Sequence, residues 1–334
     1  MAQPHVTLAD PGAAELGRTP PAALAGQRGR VDLARAPRAA AVQVFFGLFP
    51  VVGRVVMAPG RGLTPWALAT WRIGFGALAL GALALVVHRG RAWPGWRDLR
   101  ALALFAVLGV VLNQGLFLAG LARSTAMNAA LLICLIPVFT FTVAALARRE
   151  AFSLRRGLGV VIALVAALPL LVGRGASLTR EHALGNLLLV LNMVCYALYL
   201  VFSKPLLRRH PPLVVIAWVY VLSVPWLPLF AFQDPLTPVT PTPGLWWALA
   251  YVLVFPTVLA YLLNMFALSR LQASTTAFYV FAQPFVTALA AWFFLHERLD
   301  PKLLPAAGGL LLGLALVVKP GGTGSRGLVL RQPS

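Results

Sequence analysis

The sequence predicts an all-α integral membrane protein with ten transmembrane helices, arranged as two inverted five-helix repeats. Three observations support this fold class: an apolar composition, an internal repeat and an uneven distribution of basic residues. Of the 334 residues, 60% are hydrophobic and only 11% are charged, and the mean hydropathy is +0.82. A soluble domain carries about a quarter charged residues. We therefore attribute the net charge of +19 to loops at a membrane surface and predict no binding of nucleic acid.

Ten segments have the composition and approximate length of membrane-crossing helices, which need about 20 mostly apolar residues. They are 39–57, 66–88, 100–121, 125–147, 156–173, 184–203, 213–232, 245–268, 275–295 and 303–319. Residues 1–38 contain scattered arginines and two adjacent prolines, but no apolar run of the kind that a signal peptide requires. We predict that residues 1–38 form a disordered cytoplasmic tail and that residues 320–334 form a second cytoplasmic tail.

The stretch 121–150 recurs as 268–297 at a constant offset of 147 residues. Each copy contains a polar turn, an apolar helix with a central proline and a closing glutamate. The residues identical at this offset in the first copy are Leu121, Arg123, Ala126, Ala130, Pro137, Thr140, Ala144 and Glu150. Duplicated halves are a common build of small-molecule carriers, whose substrate path lies between the halves. We predict repeats at 39–173 and 184–319.

The basic residues predict the orientation of the helices. If the amino terminus is cytoplasmic, twenty Lys and Arg residues lie on the cytoplasmic side and six on the outer side, while Arg54 and Arg72 lie within helices. The excess places both termini in the cytoplasm. Because each half contains five helices, an odd number, the two halves insert in opposite orientations.

The repeated pattern resembles the EamA family of the drug/metabolite transporter superfamily. Small residues, a proline, a glutamate and a later glycine recur in both halves: Ala126, Ala129, Ala130, Pro137, Glu150 and Gly159, then Ala273, Ala277, Pro284, Glu297 and Gly313. One departure is that Ala306 stands where Gly159 predicts a glycine in the second half. The resemblance implies a ten-helix inverted-repeat fold and export or exchange of amino acids, metabolites or drugs.

The charged residues within or near the spans limit the mechanism. No Asp or Glu lies near the middle of a span, which disfavours proton antiport through an intramembrane carboxylate. Arg72 lies about a third of the way into the second span, where it either binds helix-end carbonyls or contacts an anionic substrate group. Arg54 and Lys204, near the ends of the first and sixth spans, either extend to the headgroups or act as gate residues.

Uncharged polar residues near the middle of the spans predict a central pocket. Such groups are costly when they face lipid, so they should face other helices or a cavity. They come from both halves, and with Arg72 they are the predicted substrate-binding residues: Asn113, Gln114, Asn192, Tyr196, Tyr261, Asn264 and Gln283. Hydrogen bonding between helices is the alternative role for each. Trp71, Tyr220 and Tyr279 are further candidates for an aromatic wall.

Pro137 and Pro284 lie in the middle of corresponding spans. Each removes a backbone donor and frees the carbonyl four residues earlier, at Ile133 or Val280. The break is either a static kink or a hinge for alternating access, and we predict a hinge at both prolines.

No catalytic residue, metal site or cofactor is predicted. His296 and Glu297 begin like a zinc-protease motif, but Asp300 occupies the position of its second histidine. We expect a transporter, an exporter or exchanger in the plasma (inner) membrane, for an amino-acid-like or related polar or amphipathic metabolite. The alternatives are a carrier of nucleotide sugars or other anionic metabolites, and a non-transporting membrane-embedded protein. Gly309 and Gly313 have a GxxxG spacing, which suits packing within the monomer or a homodimer.

Overall fold

The computed structural model describes residues 36–148, 154–172, 180–232, 234–270, 282–296 and 304–318. The chain divides into a short amino-terminal unit, Met1–Pro37, and a large unit, Arg38–Ser334, to which the contacts below belong. Glu150, Tyr279 and Glu297 lie outside the described residues, as do residues 1–35 and 319–334 of the predicted tails.

Every regular segment in the described part of the chain is helical. The α-helices are α1 (Ala36–Val56), α2 (Pro65–His88), α3 (Trp96–Ala106), α4 (Leu112–Arg123), α5 (Ala126–Ile133), α6 (Leu135–Leu146), α7 (Leu154–Val172), α8 (Arg180–Arg209), α9 (Pro212–Val221), α10 (Pro228–Ala231), α11 (Pro243–Val252), α12 (Ala260–Arg270), α13 (Ala282–Leu295) and α14 (Leu304–Val318). Two π-helical segments, Val107–Val111 and Leu253–Leu259, join α3 to α4 and α11 to α12.

Five helical stretches in the described residues are long and apolar enough to cross a membrane. They are Pro65–His88, Trp96–Arg123, Ala126–Leu146, His182–Arg209 and Pro243–Ser269. Large apolar side chains also cover outward faces of the bundle. Leu78 and Val86 on α2, for example, are 72% and 73% exposed. Exposed apolar surface of this kind suits lipid rather than water. The chain is therefore an all-α membrane protein, as the sequence predicts.

Helices occupy each of the ten predicted segments, but two of the segments are interrupted. The fourth breaks at Cys134, between α5 and α6. The seventh ends its regular helix at Val221 and continues as a short 3₁₀ turn and α10. Pro225 and Pro228 explain the second break, because neither residue can donate the backbone hydrogen bond that a continuous helix requires. The predicted segment 213–232 is therefore helical but not continuous.

The helices pack most closely where small residues meet. On α14, a Cβ atom added to Gly313 would lie 2.6 Å from the carbonyl oxygen of Gly159 and 2.7 Å from the Cβ of Ala163, both on α7. Gly309 faces Ala166 on the same helix in a similar way. The GxxxG spacing thus serves packing between α7 and α14 within one chain. The homodimer stays a prediction.

Polar contacts between residues distant in sequence lie near both ends of α2. Near its first residue, the backbone N–H of Thr240 donates to the carbonyl of Arg61 at 3.0 Å. Beyond its last residue, Asp98 at the start of α3 binds Arg209 at 2.9 Å and His210 at 2.6 Å. Both sets of contacts join residues that are distant in sequence.

Candidate functional site

Asn113 is the centre of a buried hydrogen-bond network. Its side-chain oxygen accepts a hydrogen bond from the hydroxyl of Tyr261 at 2.9 Å. Its backbone carbonyl accepts a hydrogen bond from the amide of Asn192 at 2.6 Å. Three predicted site residues, from α4, α8 and α12, therefore meet at one point. The direction of the Asn113 side chain depends on the preceding π-helical segment. The extra residue of that segment sets the direction in which the α4 side chains face.

Gln114, the next residue on α4, extends the network to α9. Its side-chain nitrogen donates to the hydroxyl of Tyr220 at 3.0 Å. The ring of Tyr220 is perpendicular to that of Tyr261, with centroids 5.7 Å apart. The side-chain oxygen, Gln114 Oε1, is buried and has no hydrogen-bond partner among the residues that the structure describes. An unpaired buried acceptor costs about 1–3 kcal/mol, so this atom is a candidate ligand contact.

Arg72 on α2 lies beside this network and is only 2% exposed. Its Nε donates to the hydroxyl of Thr257 at 2.8 Å, and its guanidinium carbon lies 4.1 Å from the centre of the Phe49 ring. In the part of the chain that the structure describes, no acidic side chain pairs with Arg72.

Thr257 is a site residue that the sequence analysis missed. It lies in the π-helical segment Leu253–Leu259 and donates to the carbonyl of Val252, five residues earlier, at 2.7 Å. The same hydroxyl accepts the hydrogen bond from Arg72 Nε. A signal was available in the sequence, because Pro256 precedes this threonine in the middle of a span and prevents regular α-helical bonding there. π-Helical segments are frequent at functional sites.

A second, partly buried pair lies between α8 and α12. The amide of Asn264 donates to the hydroxyl of Tyr196 at 2.7 Å. The ring of Tyr196 lies 6.0 Å from that of Tyr199, whose hydroxyl donates to the sulfur of Met265 at 3.3 Å. Tyr196 and Asn264 thus fulfil the alternative role considered for them, hydrogen bonding between helices, in the conformation seen here.

Gln283 is also buried, on α13, where it lies against α1. Its backbone carbonyl lies 3.2 Å from the position of a Cβ atom added to Gly47. One turn later, the hydroxyl of Thr287 donates to the carbonyl of Gly47 at 2.5 Å. Phe49, the ring beneath Arg72, is also on α1, but Gly47 and Phe49 are two residues apart and face different sides of that helix, so these contacts do not bring Gln283 to Arg72.

Arg54 and Lys204 differ in their contacts. Arg54 donates to the carbonyl of Leu121 at 3.2 Å and to that of Ser124, at the end of α4. It therefore binds helix-end carbonyls, the structural role that was an alternative for Arg72. Lys204 lies within α8, which continues to Arg209, and is half-buried. Among the described residues, Lys204 makes no hydrogen bond or ion pair.

The structure includes the residues around Pro137 but only part of those around Pro284. α5 ends at Ile133, whose carbonyl Pro137 leaves free, so the break expected from Pro137 is present. Pro284 is the third residue of α13, and Val280 lies outside the described residues. Whether either proline acts as a hinge stays a prediction.

The site is closed to solvent. Arg72, Asn113, Gln114 and Tyr261 are each less than one tenth exposed. Their groups are guanidinium, amide and phenol groups, which bind ligands rather than metals. Within the described ranges, no three His, Cys, Asp or Glu side chains are grouped as metal ligands would be. The arrangement therefore suits recognition of a polar organic ligand that is enclosed within the bundle.

Comparison with known proteins identifies the family. The sequence profile of the EamA-like transporter family matches the chain twice, at residues 39–172 and 183–319. An uncharacterized transporter of Archaeoglobus fulgidus is 25% identical, over 78% of this chain and 90% of the relative. A probable terminal-alkyne amino-acid exporter of Streptantibioticus cattleyicolor is 27% identical, over 78% of this chain and 84% of the relative.

Plant and structural relatives extend the comparison. A WAT1-related protein of Arabidopsis thaliana is 22% identical, over 81% of this chain and 85% of the relative. A protein of known crystal structure shares the fold with a TM-score of 0.62 and 16% identity, over 85% of this chain and 96% of the other. Because the family profile covers most of the sequence, the chain belongs to the EamA-like transporter family.

Proposed function

We propose that this protein exports or exchanges a small amino-acid-like metabolite across the plasma membrane. The observation that carries the proposal is Arg72, a buried cation without an acidic partner among the described residues, beside a polar network from both family-matched segments. The family membership supports transport as the activity. The name of one relative, an amino-acid exporter, supports the substrate class.

We expect Arg72 to bind an anionic group rather than a neutral one. A charge within the apolar part of a membrane costs up to about 3 kcal/mol on insertion scales unless it is compensated. The contacts with Thr257 and Phe49 offset only part of this cost, because they engage Nε and one face of the guanidinium. The two terminal nitrogens make no hydrogen bond to the described residues. A carboxylate would accept from both in a forked geometry.

Gln114 supports a second contact to the same ligand. Its nitrogen is held by Tyr220, which leaves Oε1 as a buried acceptor that needs a donor. An ammonium or amide N–H would supply one. An anionic group at Arg72 and a donor group at Gln114 together match an amino-acid-like molecule.

A carrier of nucleotide sugars or other anionic metabolites is the second candidate. The observation that favours it is Lys204, a cation on α8 without an ion pair among the described residues. A phosphate-bearing substrate would draw on both Arg72 and Lys204, since two phosphate charges require more than one cation. Amino-acid-like substrates are preferred because Gln114 and the tyrosines offer neutral contacts, which suit a single carboxylate.

The transport cycle that we propose is alternating access between two inverted repeats, with both termini in the cytoplasm. The two π-helical segments support a duplicated build, because Val107–Val111 shifted by 147 residues falls within Leu253–Leu259. In this cycle the contacts near the two ends of α2 would open in turn, the break before Pro137 would let α5 and α6 bend against each other, and Pro284 would let α13 bend in the same way. Each opening would expose Arg72 to one side of the membrane.

Counterflow in proteoliposomes tests the proposal. Vesicles that contain the purified chain and an unlabelled mixture of amino acids should accumulate one or more labelled amino acids from outside, whereas empty vesicles should not. The methyl ester of a transported substrate should compete poorly, because it lacks the carboxylate that Arg72 binds. Counterflow of nucleotide sugars alone would favour the second candidate. Counterflow of neither class would contradict both.

Labelling of single cysteines tests the inverted topology. Cysteines placed in 175–183 and in 233–244 should react from the same side of the membrane, since both segments are predicted to be outer loops. Reaction from opposite sides would contradict two inverted five-helix halves.

A further inference from the structure

A cavity of about 360 Å³ lies away from the polar network, between the last turns of α2 and the helix α9. Its walls are mainly apolar, and it opens beside the turn Arg89–Ala92. This volume falls within the range of small-molecule sites, about 300–1,000 Å³. The exposure of Leu85 and Trp93, 64% and 47%, shows that the cavity faces the surroundings of the bundle rather than its core.

The cavity exists because small residues stand where large ones would fill it. Gly81 and Ala84 on α2 face Ala217 on α9 across the opening. Two tryptophans keep the walls in place. Trp218 donates to the carbonyl of Ala92 at 2.6 Å, and Trp93 packs edge-on against Trp218 with ring centroids 5.0 Å apart. Tryptophans are typical of the boundary between membrane and water.

The lining of the cavity includes a basic residue. Arg89 lines it and is exposed, whereas Arg97 and Arg100 are exposed residues of α3 that do not line it. Asp98, the acid nearest in sequence, is already paired with Arg209 and His210. In the described part of the chain, the side chain of Arg89 has no hydrogen bond or ion pair. An anionic group beside the cavity would therefore find an unneutralised guanidinium.

We infer that this cavity binds one anionic phospholipid, with an acyl chain between α2 and α9 and the phosphate at Arg89. The acyl chain gains little by leaving the bilayer for an apolar groove, since both surroundings are apolar. Selectivity must therefore come from the headgroup. A basic residue near an anionic lipid favours binding by about five-fold.

The cavity between α2 and α9 is lined by both segments that the family profile matches. α2 lies in residues 39–172 and α9 lies in residues 183–319, so a bound lipid contacts both. The inference does not rest on the proposed substrate, because lipid binding is measured without transport.

Native mass spectrometry of the purified chain tests the inference. The chain is equilibrated in micelles with equal amounts of dioleoyl-phosphatidylglycerol and dioleoyl-phosphatidylcholine. We expect one phosphatidylglycerol to be retained preferentially. Arg89→Gln should reduce its retention about five-fold. Leu85→Trp, at an exposed position of the wall, should reduce retention of the same lipid by filling the groove.

Arg155→Gln is the matched control, because it removes an arginine on α7 that does not line the cavity. It should leave retention unchanged. Equal retention of the two lipids in the unmodified chain would overturn the inference. So would retention that is unaffected by Arg89→Gln, or a loss in the control as large as in Arg89→Gln, which would indicate general attraction to the basic surface.

Discussion

Two arginines lie inside predicted spans, and their surroundings differ. Arg54 in α1 donates to the carbonyls of Leu121 and Ser124, at the end of α4. Arg72 in α2 has one hydrogen bond, to Thr257, and its terminal nitrogens have no acceptor among the described residues. Backbone carbonyls accept hydrogen bonds from the guanidinium of Arg54. Two nitrogens of the Arg72 guanidinium have no acceptor among the described residues. We therefore expect a structural role for Arg54 and a ligand-binding role for Arg72.

The largest effect on transport is expected for Arg72→Gln. Loss of two charge-assisted hydrogen bonds of about 2 kcal/mol each should lower the kcat/KM of carboxylate counterflow at least about 100-fold. Arg72→Lys keeps the charge but loses the forked geometry, so it should recover only part of the activity. The yield and the chromatographic profile of each variant control for folding. Transport by the glutamine variant within about three-fold of the unmodified chain would remove Arg72 from the site.

Thr257→Val should have the next largest effect on transport. The substitution preserves the shape of the side chain but removes the acceptor that holds Arg72 Nε and the donor to the carbonyl of Val252. We expect an increase of about ten-fold in KM, because the guanidinium is no longer held in position. Thr257→Ser retains the hydroxyl and should behave like the unmodified chain. Equal effects of valine and serine would indicate packing rather than positioning of Arg72.

Gln114→Met should change substrate preference more than overall activity. The side chain keeps its length but loses the unpaired Oε1 acceptor and also the amide that donates to Tyr220, a residue that makes no proposed contact with substrate. Counterflow of a transported amino acid should fall about five-fold, since one hydrogen bond of about 1 kcal/mol is lost. An analogue that keeps the carboxylate but lacks the amino group should be unaffected. An equal loss for both compounds would contradict the proposed contact with the amino group.

Arg54→Gln completes the comparison with the smallest effect on transport. Loss of the bonds to the α4 carbonyls should lower the free energy of unfolding by about 1–2 kcal/mol, which a lower Tm would report. Counterflow per folded molecule should remain within about two-fold of the unmodified chain. A selective loss of transport with an unchanged Tm would instead place Arg54 in the transport path.

Much of the fold follows from the sequence because helix length and apolar content are local properties. Each predicted span contains a helix, and Asn113, Asn192 and Tyr261, which the structure brings together, were singled out from their polarity alone. A polar group in a membrane needs a partner, so such residues tend to converge.

The remaining features depend on contacts between distant residues. The role of Thr257 requires the arginine of another helix, and hydroxyl groups in spans usually bind their own backbone. Arg54 and Arg72 look alike in sequence, and only the proximity of Leu121 and Ser124 to Arg54 separates them. Similarly, the ion pairs of Asp98 join α3 to the end of α8, across more than 100 residues.

The π-helical segment Val107–Val111 makes the direction of Asn113 and Gln114 sensitive to chain length. A π-helical turn holds one residue more than an α-helical turn, and each residue advances an α-helix by about 100°. Deletion of Val110 would restore regular α-helical winding and rotate both amides away from Tyr261 and Tyr220. A single-codon deletion in this segment would therefore redirect substrate recognition as effectively as replacing the amides themselves.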